Sequence, residues 1–204
     1  MDITLHNSKM LHLMRAKGLE LFYRNGYYNT SVKALVEDLG ISEKEFFKNF
    51  QSKEDFFISI AQNLILQRTL NLLIEPVAYK QSPFPLILDV LDAQLLAAEN
   101  NDNDFGFMLS NFINEFNGRN SRINKYLLDI LNIWEINLNS ILKKGQLDGY
   151  LNHQIDSSSV ANHIISSYFG VRTRMVEGNA STLRLQYLQQ MRYYFYSISQ
   201  KQAA

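Results

Sequence analysis

Apolar residues recur every three to four positions along almost the whole chain, and that spacing predicts helices rather than strands. Between residues 9 and 25, Leu11, Met14, Leu21 and Phe22 outline an amphipathic helix that stops at Asn25-Gly26. A second, shorter helix carries Val32, Leu35, Val36 and Leu39, with Thr30 and Ser31 as capping residues and Gly40 as the left-handed residue that ends it. Ser42 caps a third helix from Glu43, whose apolar side is Phe46, Phe47 and Phe50. Lys44 and Lys48, four apart, mark a face free to look outward. Glu45 stands three residues after Ser42, the spacing of a capping box, and Ser52 with Asp55 repeats it for the helix that follows. Two short helices joined at Gly40-Ile41 and preceded by a longer one have the layout of a helix-turn-helix DNA reader.

Six further helices are predicted. A long apolar one runs from Lys53 to about Ile74 and ends at Glu75-Pro76. Ser82-Pro83 opens another, which reaches Glu99 through Leu86, Leu88, Leu91, Leu95 and Leu96. The next spans Asp104 to about Asn117 and stops at Gly118. Ile123, Leu127, Ile130, Leu131, Trp134, Leu138, Ile141 and Leu142 hold helical spacing from Asn120 to Lys144, where Gly145 is the expected stop. Asp156 or Ser157 caps a helix that continues to Gly178, and the last runs from Ser181 to about Gln200. No strand pattern and no internal repeat occurs. The expected fold is all-α, with three helices in a helix-turn-helix domain (1–52) and six in a second domain (53–204).

The N-terminal segment resembles the DNA-binding domain of the TetR family of transcriptional repressors. The residues that carry the resemblance are Leu19-Glu20-Leu21-Phe22, Gly26-Tyr27, Thr30-Ser31-Val32, Leu35, Leu39-Gly40-Ile41-Ser42, Phe46-Phe47, Phe50 and Ser52-Lys53-Glu54. It implies a ligand-responsive, dimeric repressor released from a palindromic DNA site by a small apolar or aromatic molecule. It also implies DNA contacts from Thr30, Ser31, Ser42, Lys44, Glu45, Phe47, Lys48 and Lys53, with Lys53 in the place of the family lysine that meets a phosphate. The chain departs from the family pattern at three of these. Lys44 stands where many members have glycine, and Glu45 where they have Thr, Ser or Ala; Glu45 is expected to fold back into its capping box. Phe47 replaces the usual tyrosine, so a phosphate hydrogen bond is lost and its packing is kept.

Farther along, Gly106, Asn111, Glu115, Arg122, Trp134-Glu135 and Gly149-Tyr150-Leu151 resemble a regulatory-domain type of the same family, in which some members sense electrophiles through a cysteine. This chain has no cysteine, which removes thiol sensing, disulfides and thiolate metal sites together. Phe105, Phe107, Met108, Phe112, Phe116, Trp134, Tyr168 and Met175 are candidates to line an apolar ligand cavity, with Asn111, Glu115, His163 and Arg172 as polar handles; plain core or surface roles are the alternative for each. The last two helices resemble the family's dimer interface, with Val160, Ile164, Leu183, Tyr187, Met191, Tyr194 and Phe195 as its candidate contacts.

Charge tempers the DNA reading. The chain is neutral overall, and residues 1–54 carry eight Lys/Arg against seven acids, so non-specific DNA affinity is expected to be weak. That leaves a second reading open, a dimeric TetR-like ligand-binding module with weak or lost sequence-specific DNA binding. Four scattered histidines give no metal-ligand spacing, and no nucleophile–base set, acid pair or phosphate-cradling loop appears, so neither metal, cofactor nor enzymatic activity is expected. No apolar run of 18 residues and no signal-peptide pattern occurs, and a cytoplasmic protein without membrane contact is expected.

Overall fold

The structure, a computed structural model, describes the backbone of residues 2–77, 82–101 and 106–200, and side chains from residue 8 onward within those ranges. Among the described residues it is all-helical, with nine helices and no strand. They are α1 (Asp2–Asn25), α2 (Val32–Leu39), α3 (Glu43–Asn49), α4 (Lys53–Val77), α5 (Pro83–Glu99), α6 (Met108–Phe116), α7 (Ser121–Leu147), α8 (Ser157–Met175) and α9 (Ala180–Ile198). One isolated bridge pairs Leu151 with Ser199.

Most predicted boundaries lie within a few residues of the observed ones, with exceptions at α1, α6 and α7. α1 begins at Asp2, earlier than the apolar spacing indicated. α7 passes through Gly145, the expected stop, and ends at Leu147. A Cβ at Gly145 would lie 3.0 Å from Pro83 Cγ, so this glycine serves a close approach to the start of α5. The left-handed residue that follows the helix is Gly149, φ 77°. α6 starts at Met108 rather than Asp104, a residue outside those described.

The chain divides into two compact units. The first comprises Met1–Gln67 with Met108–Asp129, and the second Arg68–Phe107 with Ile130–Ala204. In the first, the helix-turn-helix is built around aromatic rings. Phe22, Phe46, Phe56, Phe57 and Phe116 are all fully buried, and Phe57 meets Phe116 and Phe112 at centroid distances of 4.8 and 5.0 Å. Tyr27 packs on Phe116 at 4.8 Å and on Phe22 at 5.3 Å, both within the range of favourable aromatic pairs. Gly18, inside α1, sits where a Cβ would be 2.5 Å from the Phe56 ring, so α1 approaches α4 more closely than alanine would allow.

The second unit has an aliphatic core with Trp134 at its centre, built from Leu73, Ile74, Val77, Phe84, Ile87, Leu91, Leu95, Leu138, Leu142 and inward residues of α8 and α9. Phe84 of α5 stacks on Phe195 of α9 at 4.7 Å. Arg184 of α9 binds Asp92 and Glu99 of α5 together, which fixes the register of the two helices. By length and composition α4 could cross a bilayer. Its apolar residues serve two cores instead, Phe56, Phe57, Ile60, Ala61 and Ile65 in the first unit and Leu73, Ile74 and Val77 in the second.

Candidate DNA-binding surface and regulatory core

Local capping sets the reader's geometry. Ser31 Oγ accepts the Ala34 amide at 3.1 Å and starts α2. Gly40, φ 67°, ends it, with Ile41 N–H donating to the Val36 carbonyl at 3.0 Å as in a Schellman motif. Two residues later Ser42 Oγ accepts the Glu45 amide at 3.2 Å and α3 begins. Phe46 and Phe50 turn inward to Phe56, at 5.2 and 4.7 Å, and anchor α3 on the ring cluster. The opposite face of α3 is solvent-exposed and carries Lys44, Phe47 and Lys48. Glu45 is half-buried on the flank of that face rather than on it.

The expected role of Glu45 needs correction. Among the described residues its carboxylate makes no bond back to the Ser42 amide, so only the serine half of the capping box forms. It still lies in the first turn, where the helix dipole favours a negative charge without a specific bond. Phe47 is corrected too. Its ring touches Phe46 edge-on at 5.4 Å but stays 48% exposed, so it is not a buried packing residue.

Thr30 and Lys53 both have partners within the chain. Thr30 is buried, and its hydroxyl donates to the Gly26 carbonyl at 2.8 Å, which ties it to the α1–α2 turn instead of a phosphate. The Lys53 ammonium donates to the carbonyls of Tyr27 and Thr30, each at 2.9 Å, and stands 4.0 Å from the Tyr27 ring centroid. Burial lowers its pKa, with Glu115 pulling it back up. Two of its three donors are thus committed within the turn, and Lys53 acts here as the turn's clamp. Around the same turn, burial pushes the Tyr27 phenol up to about 12, assisted by Glu54, Tyr28 and Glu115.

Residues 15–60 match the family model of the bacterial regulatory proteins of the tetR family. That match runs from within α1 to the first turns of α4 and so takes in the whole helix-turn-helix. The whole fold of the chain is also TetR-like. A TetR transcriptional regulator from Chloroflexus aurantiacus superimposes with a TM-score of 0.83 at 17% identity, over 96% of this chain and 98% of that one. A TetR-family regulator from Cytophaga hutchinsonii gives 0.73 at 17% identity, over 95% and 96%. FadR from Bacillus subtilis, solved in complex with stearoyl-CoA, gives 0.71 at 17% identity, over 87% and 95%. Among curated proteins, none matches the chain in sequence.

Set on this TetR-like frame, the candidate ligand residues fall into different places. Met108, Asn111, Phe112 and Glu115 lie on α6, within the same compact unit as the helix-turn-helix. Phe112 packs on Phe57, and Glu115 Oε1 accepts the Tyr28 amide at 3.2 Å while lying 3.1 Å from the position of a Cβ on Gly26, φ 83°. Phe112 and Glu115 therefore make structural contacts within the unit that holds the helix-turn-helix. Asn120 and Arg122, at the start of α7, add bonds to Glu54 at 2.8 and 2.9 Å, and Arg122 also reaches Asp55 at 3.0 Å. Sequence reasoning assigns neither residue to this unit, because a side chain whose partner lies 66 or 68 positions away leaves no periodic signal.

Trp134, Tyr168, Arg172 and Met175 are buried in the second unit. Trp134 and Tyr168 meet at right angles, 5.9 Å apart, and Phe107 closes against both. Arg172 Nη2 donates to the Gly106 carbonyl at 2.9 Å. Phe105 lies outside the described residues. Beside Trp134 is an apolar cavity of about 10 Å³, lined by Leu73, Val77, Ile87, Val90, Leu91, Leu138 and Ile164. Trp134 is the one predicted ligand residue on its wall. In this conformation the cavity has room for about one water molecule.

The candidate dimer contacts are mostly core. Val160, Ile164, Met191 and Phe195 are buried within their own chain, so they cannot face a partner as the fold stands. Leu183, Tyr187 and Tyr194 are half-buried against the same core. The Tyr187 hydroxyl is 3.2 Å from Ser167 Oγ, and burial raises its pKa to about 12. Leu185, Tyr193 and Tyr196 are the large apolar residues that α9 leaves exposed.

Proposed function

We propose that this protein is a dimeric transcriptional repressor that binds a palindromic DNA site and leaves it when a small apolar molecule enters the second unit. The observation that carries the reading is the exposed Lys44–Phe47–Lys48 face on a short helix held by the Ser42 cap, the Gly40 turn and the Phe46 and Phe50 anchors. A face carried on a packed helix loses little conformational entropy on docking, which offsets the small net charge of the domain.

The ligand class follows from the second unit. The space beside Trp134 is walled by aliphatic side chains and the indole, which suits a hydrocarbon or aromatic group better than a charged one. Such a ligand must widen the cavity, and only a molecule that binds the widened form more tightly shifts the protein toward it. That the TetR-like FadR of Bacillus subtilis was solved with stearoyl-CoA supports an apolar ligand without identifying it. For the dimer we place the second copy against α8 and α9, with Leu185, Tyr193 and Tyr196 as contacts in place of the buried residues. The proposed site of action is the cytoplasm.

The near-neutral domain favours one competing reading, a TetR-like binding module that has lost sequence-specific recognition. Enrichment of one palindrome from a random duplex pool by the full chain, with affinity falling as salt rises, supports the repressor. Binding without sequence preference, or none, supports the module.

A further inference from the structure

Phe47 is the feature of the reader that the fold does not explain. Its neighbours on α3, Phe46 and Phe50, build the core, yet Phe47 points outward with nearly half its surface in water, between Lys44 and Lys48. The ring keeps one contact within the chain, an edge-on approach to Phe46 at 5.4 Å and 88°. An isolated aromatic ring flanked by two cations is a poor surface for an apolar protein partner, which needs a contiguous patch. It is well matched to a polyanion that displays an apolar group in a groove.

Phenylalanine has neither donor nor acceptor, so it cannot read the hydrogen-bond code of base edges, and a phosphate offers it nothing. The apolar group displayed in the major groove is the C5-methyl of thymine. We propose that Phe47 is a specificity-determining residue that packs on one thymine methyl in each half-site, while Lys44 and Lys48 hold the flanking phosphates or guanine edges. This rests on the DNA-binding reading above and adds the base that the exposed face selects. It also gives the phenylalanine a role at a position where the family commonly has tyrosine.

The test uses the full chain. A preferred site is selected from random duplex DNA, and each thymine in it is then replaced singly by deoxyuridine, which removes the methyl and leaves base pairing intact. Burial of one methyl-sized group corresponds to about a fourfold change in affinity. One thymine per half-site is expected to show that loss with the wild-type protein. The loss should vanish in Phe47→Ala and persist, reduced, in Phe47→Leu. Because the ring is half-exposed, both variants should fold, which circular dichroism checks. A selected palindrome with no methyl-sensitive thymine, or with equal sensitivity in Phe47→Ala, overturns the inference and leaves the repressor reading standing. Failure to enrich any sequence overturns both.

Discussion

Phe116→Ala probes the assignment of α6 to the DNA-binding unit. Phe116 lies far downstream of the helix-turn-helix, which ends at Asn49, yet it is fully buried among Tyr27, Phe57 and Phe112. Truncating a buried phenylalanine costs about 3–5 kcal/mol, and edge contacts like those to Tyr27 and Phe57 are worth about 0.5–1.5 kcal/mol each within that total. A loss of about 4 kcal/mol raises the population of opened states roughly a thousandfold. Hydrogen exchange at the amides of α2 and α3 reads this directly. The single tryptophan, Trp134, lies in the second unit, so its fluorescence follows that unit separately during denaturation. The expected result is exchange in α2 and α3 faster by two to three orders of magnitude, with a smaller shift in the Trp134 transition. A change below about 1 kcal/mol in the first unit would refute the assignment.

Other perturbations test separate parts of the structure. Gly18→Ala should destabilise the protein by about 1–3 kcal/mol despite alanine's better helix propensity, because its Cβ would press on the buried Phe56 ring; a stabilised variant in thermal denaturation would contradict that packing. Gly170→Ala, in open space on α8, should instead raise stability by about 1 kcal/mol in the same assay. Lys53→Met removes two charge-assisted bonds to the turn carbonyls and should cost about 2–3 kcal/mol in a denaturant titration; a neutral substitution would show the clamp to be unimportant. Tyr27 and Tyr187 are neutral in both folded and unfolded chains below pH 10. Between pH 10 and about 12 their unfolded forms ionise first, so stability present below pH 10 is lost across that window, and Tyr187→Phe should flatten the decline.

How far the sequence revealed the fold depends on whether the signal was local. Caps and stops at Ser31, Gly40, Ser42 and Asp156 were legible because each acts on its own neighbours; Asp156 accepts the Ser158 and Ser159 amides as expected. Apolar spacing located the helices and their inward faces. It does not say which inward face meets which, so spacing alone leaves Phe112 and Glu115 open between ligand contact and plain packing, and their contacts with Phe57 and the Tyr28 amide are visible only in the fold. The same blindness made Val160, Ile164, Met191 and Phe195 look like a dimer face, since an apolar stripe serves a core or a partner equally well. Gly145 misled for a related reason: glycine at a stop and glycine at a close approach look alike in sequence, and only the position of Pro83 separates them. Lys53 matched a family pattern by position, but its bonds to Tyr27 and Thr30 depend on a turn folded 23 or more residues away.

The exposed face of α3 as a DNA reader is the central claim, and salt dependence tests it most directly. Affinity for the selected palindrome is measured by fluorescence anisotropy across a salt series for the wild-type chain and the double variant Lys44→Ala/Lys48→Ala. Each phosphate contact contributes about 0.9 to the slope of log affinity against log salt, so two lysines in each of two half-sites should account for up to about 3.6 of it. The expected result is weaker binding with a slope reduced by about 2 to 3.6. Unchanged affinity and slope in the double variant would contradict the claim.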